Sequence, residues 1–385
     1  MKKVWRILSY VLVAVLASCT TLAVDAFLID DRQTSKLEQM ADLIEERFIG
    51  EVDRTVIEDN AAHAMVASLG DQWSYYIAAE DYAEHMEQMN NAYVGIGITI
   101  QLTEDNSGVL VIKVNEGGPA DEAGMLADDI IVGVAGQRIA GMSTDDVRNL
   151  VRGEENTQVA IVVLRGEEEI ELSVTRKQVQ TPVAVAAMLE DNIGLITITN
   201  FDSRCFDETE AAIETLLEQG ATALVFDVRN NPGGYKHELV KVLDYLLPEG
   251  PLFRSEDYTG KVTVDESDAD FLDIPMAVLV NGDSYSAAEF FAAALSEYEA
   301  AVVVGEETVG KGYFQQTFQL ADGSAVGLSV GKYSTPNGVN LAGVGITPDI
   351  IVEVDEETAW EIYAGTLDPA LDPQIQAAVE ALKTK

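Results

Sequence analysis

The sequence predicts a multi-domain α/β protein in three parts: an N-terminal helical region, a block of short strands, and a larger segment where strands and helices alternate. Three observations carry this. Leu37, Met40, Leu43, Ile44 and Phe48 recur at three- and four-residue spacing, the period of an amphipathic helix. From Asn91 to about residue 178, β-branched residues alternate with glycine-rich turns, the pattern of strands joined by tight connections. From about 182 to 355, continuously apolar runs alternate with helical patterns, the order of a buried parallel sheet. At 385 residues, with 47% hydrophobic and 23% charged residues, the chain is globular and long enough for several cores.

The predicted divisions are 1–29, a signal or anchor segment; 33–90, helical; 91–178, the β block; 179–355, the α/β segment; and 356–385, a helical tail. The formal charge of −42 excludes a nucleic-acid partner, because nothing would neutralise phosphates. Acidic residues are spread along the chain, as on a solvated, self-repelling surface. Three histidines and two cysteines, with no H-E-x-x-H and no C-x-x-C, leave little for a metal site. No metal and no cofactor are expected.

"MKKVWR" places Lys2, Lys3 and Arg6 before an uncharged run of 18 residues, Ile7 to Val24. That length just suffices for a spanning helix and is long for a signal-peptide core. The basic flank stays inside, so the body is exported. A retained anchor is favoured over two rivals. One is lipidation at Cys19, since "LASC" (16–19) resembles a bacterial lipobox; the other is ordinary cleavage. Cys205 then reads as a partly buried free thiol.

The helical region continues through "VIEDNAAHAMVASLGD" and stops near Gly70; its apolar stripe suggests self-association into a homo-oligomer. In the β block, "YVGIGI" (93–98), "GGPADEAGM" (117–125), "DDIIVGVAGQRIAGM" (128–142) and "DDVRNLVRG" (145–153) follow one another. Together they resemble a PDZ domain of the bacterial protease type. A glycine-flanked turn can aim backbone N–H groups at a terminal carboxylate while an extended peptide adds as a strand. The resemblance implies that Tyr93, Val94, Gly95, Ile96, Gly97 and Ile98 receive a substrate's tail. Val147, Leu150 and Val151 would wall the pocket for its last side chain. The bland alternative is a small β module joining two domains.

In the α/β segment "NIGLITITNF", "ATALVFDVR", "PMAVLV" and "AVVVG" read as strands. "DETEAAIETLLEQG", "HELVKVLDYLL" and "AAEFFAAALSEY" read as helices, and "GYFQQTFQL" with "AVGLSVGKYSTP" as further strands. Three strand-to-turn junctions stand out. "VFDVRNNPGGY" (225–235) is a sharp turn whose glycines allow close backbone approach, and free N–H groups at a helix start favour negative charge. A mere tight turn is equally consistent with it. "NGDSYSAAE" sets Ser286 three residues before Glu289, which fits the S-x-x-E capping box. The same helix start would also stabilise an alkoxide or oxyanion. In "GEETVGKGYFQQTF" (305–318), Lys311 lies between Gly310 and Gly312 in an apolar setting. Desolvation lowers a lysine pKa from about 10.4 toward 7–8, so the neutral amine can act as a base. Gln315, four residues on, falls on the same side and could orient that amine.

Read together, "FDVRNNPGG", "NGDSYSAAE" and "GKGYFQQTF" resemble the carboxyl-terminal processing (tail-specific) peptidases, Ser–Lys serine endopeptidases with an inserted PDZ domain. The likeness runs from about residue 33 to "GVGITPDI" (343–350). It implies a ClpP/crotonase-like catalytic core, Ser286 rather than Ser284 as nucleophile, Lys311 as base and Gln315 as its support. It further implies an oxyanion hole from Gly233, with Gly234, and the N–H of Ala287. Tyr285 departs from the family, which usually has a small residue there; its ring puts side-chain preference in question. The implied protein is an exported, membrane-anchored endopeptidase that recognises a protein or peptide with an exposed apolar C-terminus. Rival readings are a Ser–His–Asp hydrolase using His237, a non-catalytic PDZ scaffold, and a crotonase-like acyl enzyme.

Overall fold

A computed structural model describes residues 35–103 and 105–383. The predicted anchor run, with Cys19, lies outside the described residues, among which no helix is long and apolar enough to cross a membrane. The chain forms two compact units that part after Tyr76.

In the first unit, helix α1 (Lys36–Arg47) is capped by Ser35, whose Oγ accepts from Glu38 N at 3.1 Å. Helix α2 (Arg54–Ala67) is capped by Asp53, whose carboxylate accepts from Thr55 N and Val56 N. Arg54 of α2 reaches Asp42 and Glu45 of α1 at 2.7 and 3.3 Å and Glu58 of its own helix at 2.6 Å. The predicted apolar stripe is exposed in the single chain: Leu43 is 58% and Phe48 60% accessible. Strand β1 (Tyr75–Ile77) straddles the division, and helix α3 (Tyr82–Met89) belongs to the second unit.

In the second unit, strands β2 (Ala92–Gly95) and β9 (Lys177–Gln180) pair antiparallel at the two ends of the β block. Between them lie β3 (Ile98–Leu102), β4 (Val109–Val114), helix α4 (Pro119–Glu122), β5 (Ile130–Val134), β6 (Gln137–Arg138), helix α5 (Thr144–Val151), β7 (Gln158–Arg165) and β8 (Glu168–Thr175). The sheet order is β3-β4-β5-β7-β8. Helix α5 starts on a full capping box, in which Ser143 Oγ accepts from Asp146 N and Asp146 accepts from Ser143 N. Its Val147 and Val151 enter the core with Ile96, Val111, Ile131 and Ile161.

The larger sheet runs β10 (Ala184–Met188), β11 (Ile193–Ile198), β12 (Ala223–Asp227), β15 (Met276–Val280), β16 (Ala301–Gly305), β19 (Ile350–Ile351). All pairs are parallel except β10 with β11. Side chains alternate between its faces, as strand geometry requires. Ile196, Ile198, Leu224, Phe226, Val278 and Val280 pack under helices α6 (Cys205–Glu218), α7 (Lys236–Leu246) and α8 (Ala287–Glu297). Ile193, Leu195, Val225, Ala277 and Leu279 pack on the other face under helix α10 (Pro373–Lys383). Helix α9 (Glu356–Ala364) precedes it. Cys205 is fully buried and free. Strands β13 (Gly250–Asp257), β14 (Val262–Ser267), β17 (Tyr313–Gln319) and β18 (Ala325–Ser334) pair antiparallel, β13 with β14 and β18, and β17 with β18. The molecule is thus a multi-domain α/β protein with a helical N-terminal region.

Candidate active site

The three junctions singled out in the sequence follow β12, β15 and β16, which are neighbours in the parallel sheet. Parallel strands share one direction, so their carboxyl ends bring the junctions to one edge, where open α/β sheets bind ligands. Two asparagines tie the first pair of turns together. Asn230 N donates to Asn281 Oδ1, and Asn281 Nδ2 donates back to Asn230 Oδ1, both at 2.9 Å. Tyr285 N adds a bond to Asn231 O at 3.2 Å.

The glycine turn lies against the serine. A Cβ placed on Gly233 would stand 2.7 Å from Ser286 Cβ and 2.8 Å from Ala287 N, at a φ of +93°. Only glycine fits this approach. Gly233 N–H differs from expectation: it donates to Asn231 Oδ1 at 2.8 Å, while Asn231 Nδ2 donates to Ile198 O at 2.7 Å. An Asn side chain can close such a local loop on its own backbone, and here it takes up the donor. Phe201 N donates to Gly233 O and Tyr235 N donates to Phe201 O, which turns the Gly234 N–H away from Phe201.

Ser286 is half-buried at the start of α8, with φ 60° and ψ −119°. A non-glycine residue there carries strain of about 1–3 kcal/mol; a sharp strand-to-helix turn of this kind exposes a side-chain oxygen above a sheet. The expected capping box is corrected: Ser286 makes no side-chain capping bond. Glu289, fully buried, still accepts from the Ser286 N–H, the returning half of that motif, and takes its other bonds from the Lys311 loop. Its Oε1 accepts from Thr308 Oγ1 and from Gly310 N at 2.7 Å, and its Oε2 accepts from Lys311 N at 2.9 Å. Burial pushes the Glu289 carboxyl up from its ordinary value, against these bonds, which favour the charged form. Ser284 is fully buried and donates to Val228 O at 2.8 Å, a structural position.

Lys311 is half-buried, with Nζ 5.9 Å from the centre of the Tyr285 ring. Its carbonyl accepts from Tyr333 Oη at 2.5 Å. Tyr333 is buried among Phe253 and Phe290, and burial pushes its phenol well up, with Ser286 Oγ beside it opposing the shift. Tyr333 and Glu289 both hold the Lys311 backbone, and neither was singled out as a site residue in the sequence. Gln315 does not bond to Lys311: its Nε2 donates to Tyr313 O at 3.2 Å and Ser329 Oγ at 3.0 Å. Four residues of extended chain span about 13 Å, so sharing a side does not bring two side chains together. His237 is 64% exposed and stacks on Tyr235.

Most of the residues expected to receive a tail line a groove between β3 and α5. It is lined by Tyr93, Gly95, Ile96, Gly97, Ile98, Ile100, Ile131, Val147, Arg148, Val151 and Arg152. Val94 and Leu150 do not line it; Leu150 packs at the border of the β-block core. A helix of eight residues turns only part of its surface to the groove, and Arg148 and Arg152 take the rim. The Tyr93 ring lies over residue 95, where a Cβ would meet it at 2.6 Å.

Comparisons with known proteins place the two folded parts of the chain. Residues 192–352 match the model of peptidase family S41, and residues 110–165 that of the PDZ domain. A probable CtpA-like serine protease of Staphylococcus aureus (strain N315) is 31% identical over 341 residues, 88% of this chain and 68% of the relative. A protein of the same name from Staphylococcus haemolyticus is 30% identical, over 83% of this chain and 65% of the relative. A putative S41 protease from Bacteroides fragilis shares the fold at a TM-score of 0.55 and 16% identity, covering 90% of this chain and 97% of that one. The chain belongs to peptidase family S41 and is a serine-type peptidase that carries a PDZ domain.

Proposed function

We propose that Ser286 is the nucleophile and Lys311 the general base of an endopeptidase that cuts proteins selected by their C-terminal tails. The observation that carries this is the Glu289 carboxylate. It sits one helical turn beyond Ser286 and grips the backbone N–H of Lys311, so one rigid helix sets both groups. Neutral Lys311 Nζ takes the Ser286 proton, and Oγ attacks the scissile carbonyl. The oxyanion is held by Ala287 N–H and, since Asn231 engages Gly233, by Gly234 N–H. The lysine ammonium gives its proton to the leaving amine. It then takes a proton from water, which attacks the acyl-enzyme and frees the serine. Gln315 acts through the Tyr313 carbonyl and Ser329, not through the amine.

The PDZ block, residues 91–178, takes the substrate's apolar terminal side chain between Ile98, Ile100, Val147 and Val151, with the tail carboxylate at the Tyr93–Ile98 turn. The Ile7–Val24 run anchors the chain in the membrane with its body outside, and the exposed face of α1 pairs copies of the chain. A tail-tagged substrate tests the dyad. Wild type and His237→Ala cleave it, whereas Ser286→Ala and Lys311→Ala do not. Equal turnover by Ser286→Ala would sink the assignment.

A further inference from the structure

Backbone contacts fix where Lys311 starts but not where its amine ends. Glu289 Oε2 accepts from Lys311 N and Tyr333 Oη donates to Lys311 O, both at the main chain. A flexible stem still separates Cα from Nζ, and ordering it costs rotamer entropy. Gln315, the expected support, turns its Nε2 to Tyr313 O and Ser329 Oγ. Beside Nζ the structure sets an aromatic face instead: the centre of the Tyr285 ring lies 5.9 Å away, within the range over which a ring quadrupole attracts an ammonium.

The ring is itself held. Tyr285 N donates to Asn231 O at 3.2 Å, and Tyr285 O accepts from Ala288 N at 3.3 Å. That carbonyl also lies against Gly233, where a Cβ would stand 2.9 Å from it. The residue next to Ser286 is thereby fastened to the glycine turn and to the first turn of α8. Tyr285 is half-buried. Burial, with Asp283 adding to it, pushes the phenol above its ordinary value, so the ring stays uncharged while an amine near neutrality titrates. The other titratable groups around Lys311 are Glu289 and Tyr333, and both engage its main chain, which a change of side chain at 285 leaves in place.

We infer that Tyr285 is a positioning residue for the base: its ring holds the Lys311 amine beside Ser286 and favours the ammonium formed as the serine gives up its proton. The inference rests on reading Lys311 as that base. The negative face of a ring attracts the ammonium and not the neutral amine. It therefore raises the pH at which the resting amine loses its proton. It also stabilises the state in which that proton has passed from Ser286 Oγ to Nζ. One contact thus ties the acid limb of the pH profile to the rate above it. A side chain that merely filled space beside Ser286 would move neither.

The test compares Tyr285→Leu with Tyr285→Phe in kcat/KM against pH, on a tail-tagged peptide without titratable side chains. The acid limb of that profile reports the base of the free enzyme. Leucine keeps apolar bulk and removes the aromatic face. Its limb should lie about 0.7 pH unit below that of wild type, and its plateau should be about fivefold lower. Tyr285→Phe keeps the face and should hold the limb at the wild-type position. A Tyr285→Leu limb at or above the wild-type position would overturn the inference, as would a Tyr285→Phe limb that moves with it. Should Tyr285→Leu lose its fold, Tyr285→Phe bearing one to five ring fluorines decides, because fluorine weakens the negative face at nearly constant shape. A limb that falls with each fluorine supports the inference, and a fixed limb overturns it. Cleavage by Lys311→Ala at the wild-type rate would instead remove the reading of Lys311 as base.

Discussion

Glu289→Gln tests the positioning of the lysine most directly. In the native chain Oε1 accepts from Thr308 and Gly310, and Oε2 from Lys311 N at 2.9 Å. Glutamine keeps one oxygen for the first two partners and turns an NH2 toward the Lys311 N–H, donor against donor. Orphaning a buried donor costs about 1–3 kcal/mol. If the 310–311 backbone shifts to relieve the clash, that cost appears as lost transition-state stabilisation, about 5–150-fold in kcat/KM. Burial pushes the Glu289 carboxyl up, so neutralising it also removes a desolvation penalty. Tm should therefore fall by only a few degrees while activity falls by an order of magnitude. The assay is cleavage of a tail-tagged substrate with Tm and fluorophosphonate labelling in parallel, and the loss should lie in kcat. Native kcat in a folded Glu289→Gln enzyme would refute the reasoning that this carboxylate sets Lys311.

Gly233→Ala should lose at least about 100-fold in kcat/KM, because its Cβ would press on Ser286 Cβ and Ala287 N at under 3 Å; steady-state cleavage by the folded variant measures this. Ser284→Ala should lower stability by about 1–3 kcal/mol in denaturant unfolding, since Val228 O and Asn281 N lose a buried partner, yet the folded fraction should still label at Ser286. Asp129, nearly fully buried, is raised by desolvation, but the hydrogen bonds from Arg165 and Leu126 N prevail and hold its carboxyl below the ordinary value. Its contribution to stability is therefore present above the ordinary Asp pKa and is lost as pH falls through the depressed one. Acid unfolding of the β block followed by circular dichroism should show this, and Asp129→Asn should flatten it.

Much of the site was legible locally. Buried parallel strands announce themselves as continuous apolar runs, and the turns that follow need Asn, Gly or Ser, so all three junctions stood out in the linear chain. The misreadings share one cause. The Ser286–Glu289 spacing matched a capping box because that motif spans a single helical turn. Beyond the Ser286 N–H, the partners of Glu289 lie at Thr308, Gly310 and Lys311, outside the reach of any short pattern. For Gln315, a shared side, like the family resemblance, leaves out the length of the extended chain that separates it from Lys311. Leu150 was assigned to the groove from a helical face too short to fix its rotation.

The sequence by itself determined which chemistry is carried, a serine at a helix start, a lysine among glycines and a glycine turn, because those are properties of residues and of their nearest neighbours. Only the tertiary structure decided that these meet. The order β12-β15-β16 is set by long-range packing of both sheet faces, and that order puts the turn at Gly233, the strained Ser286 and the Lys311 loop at one edge.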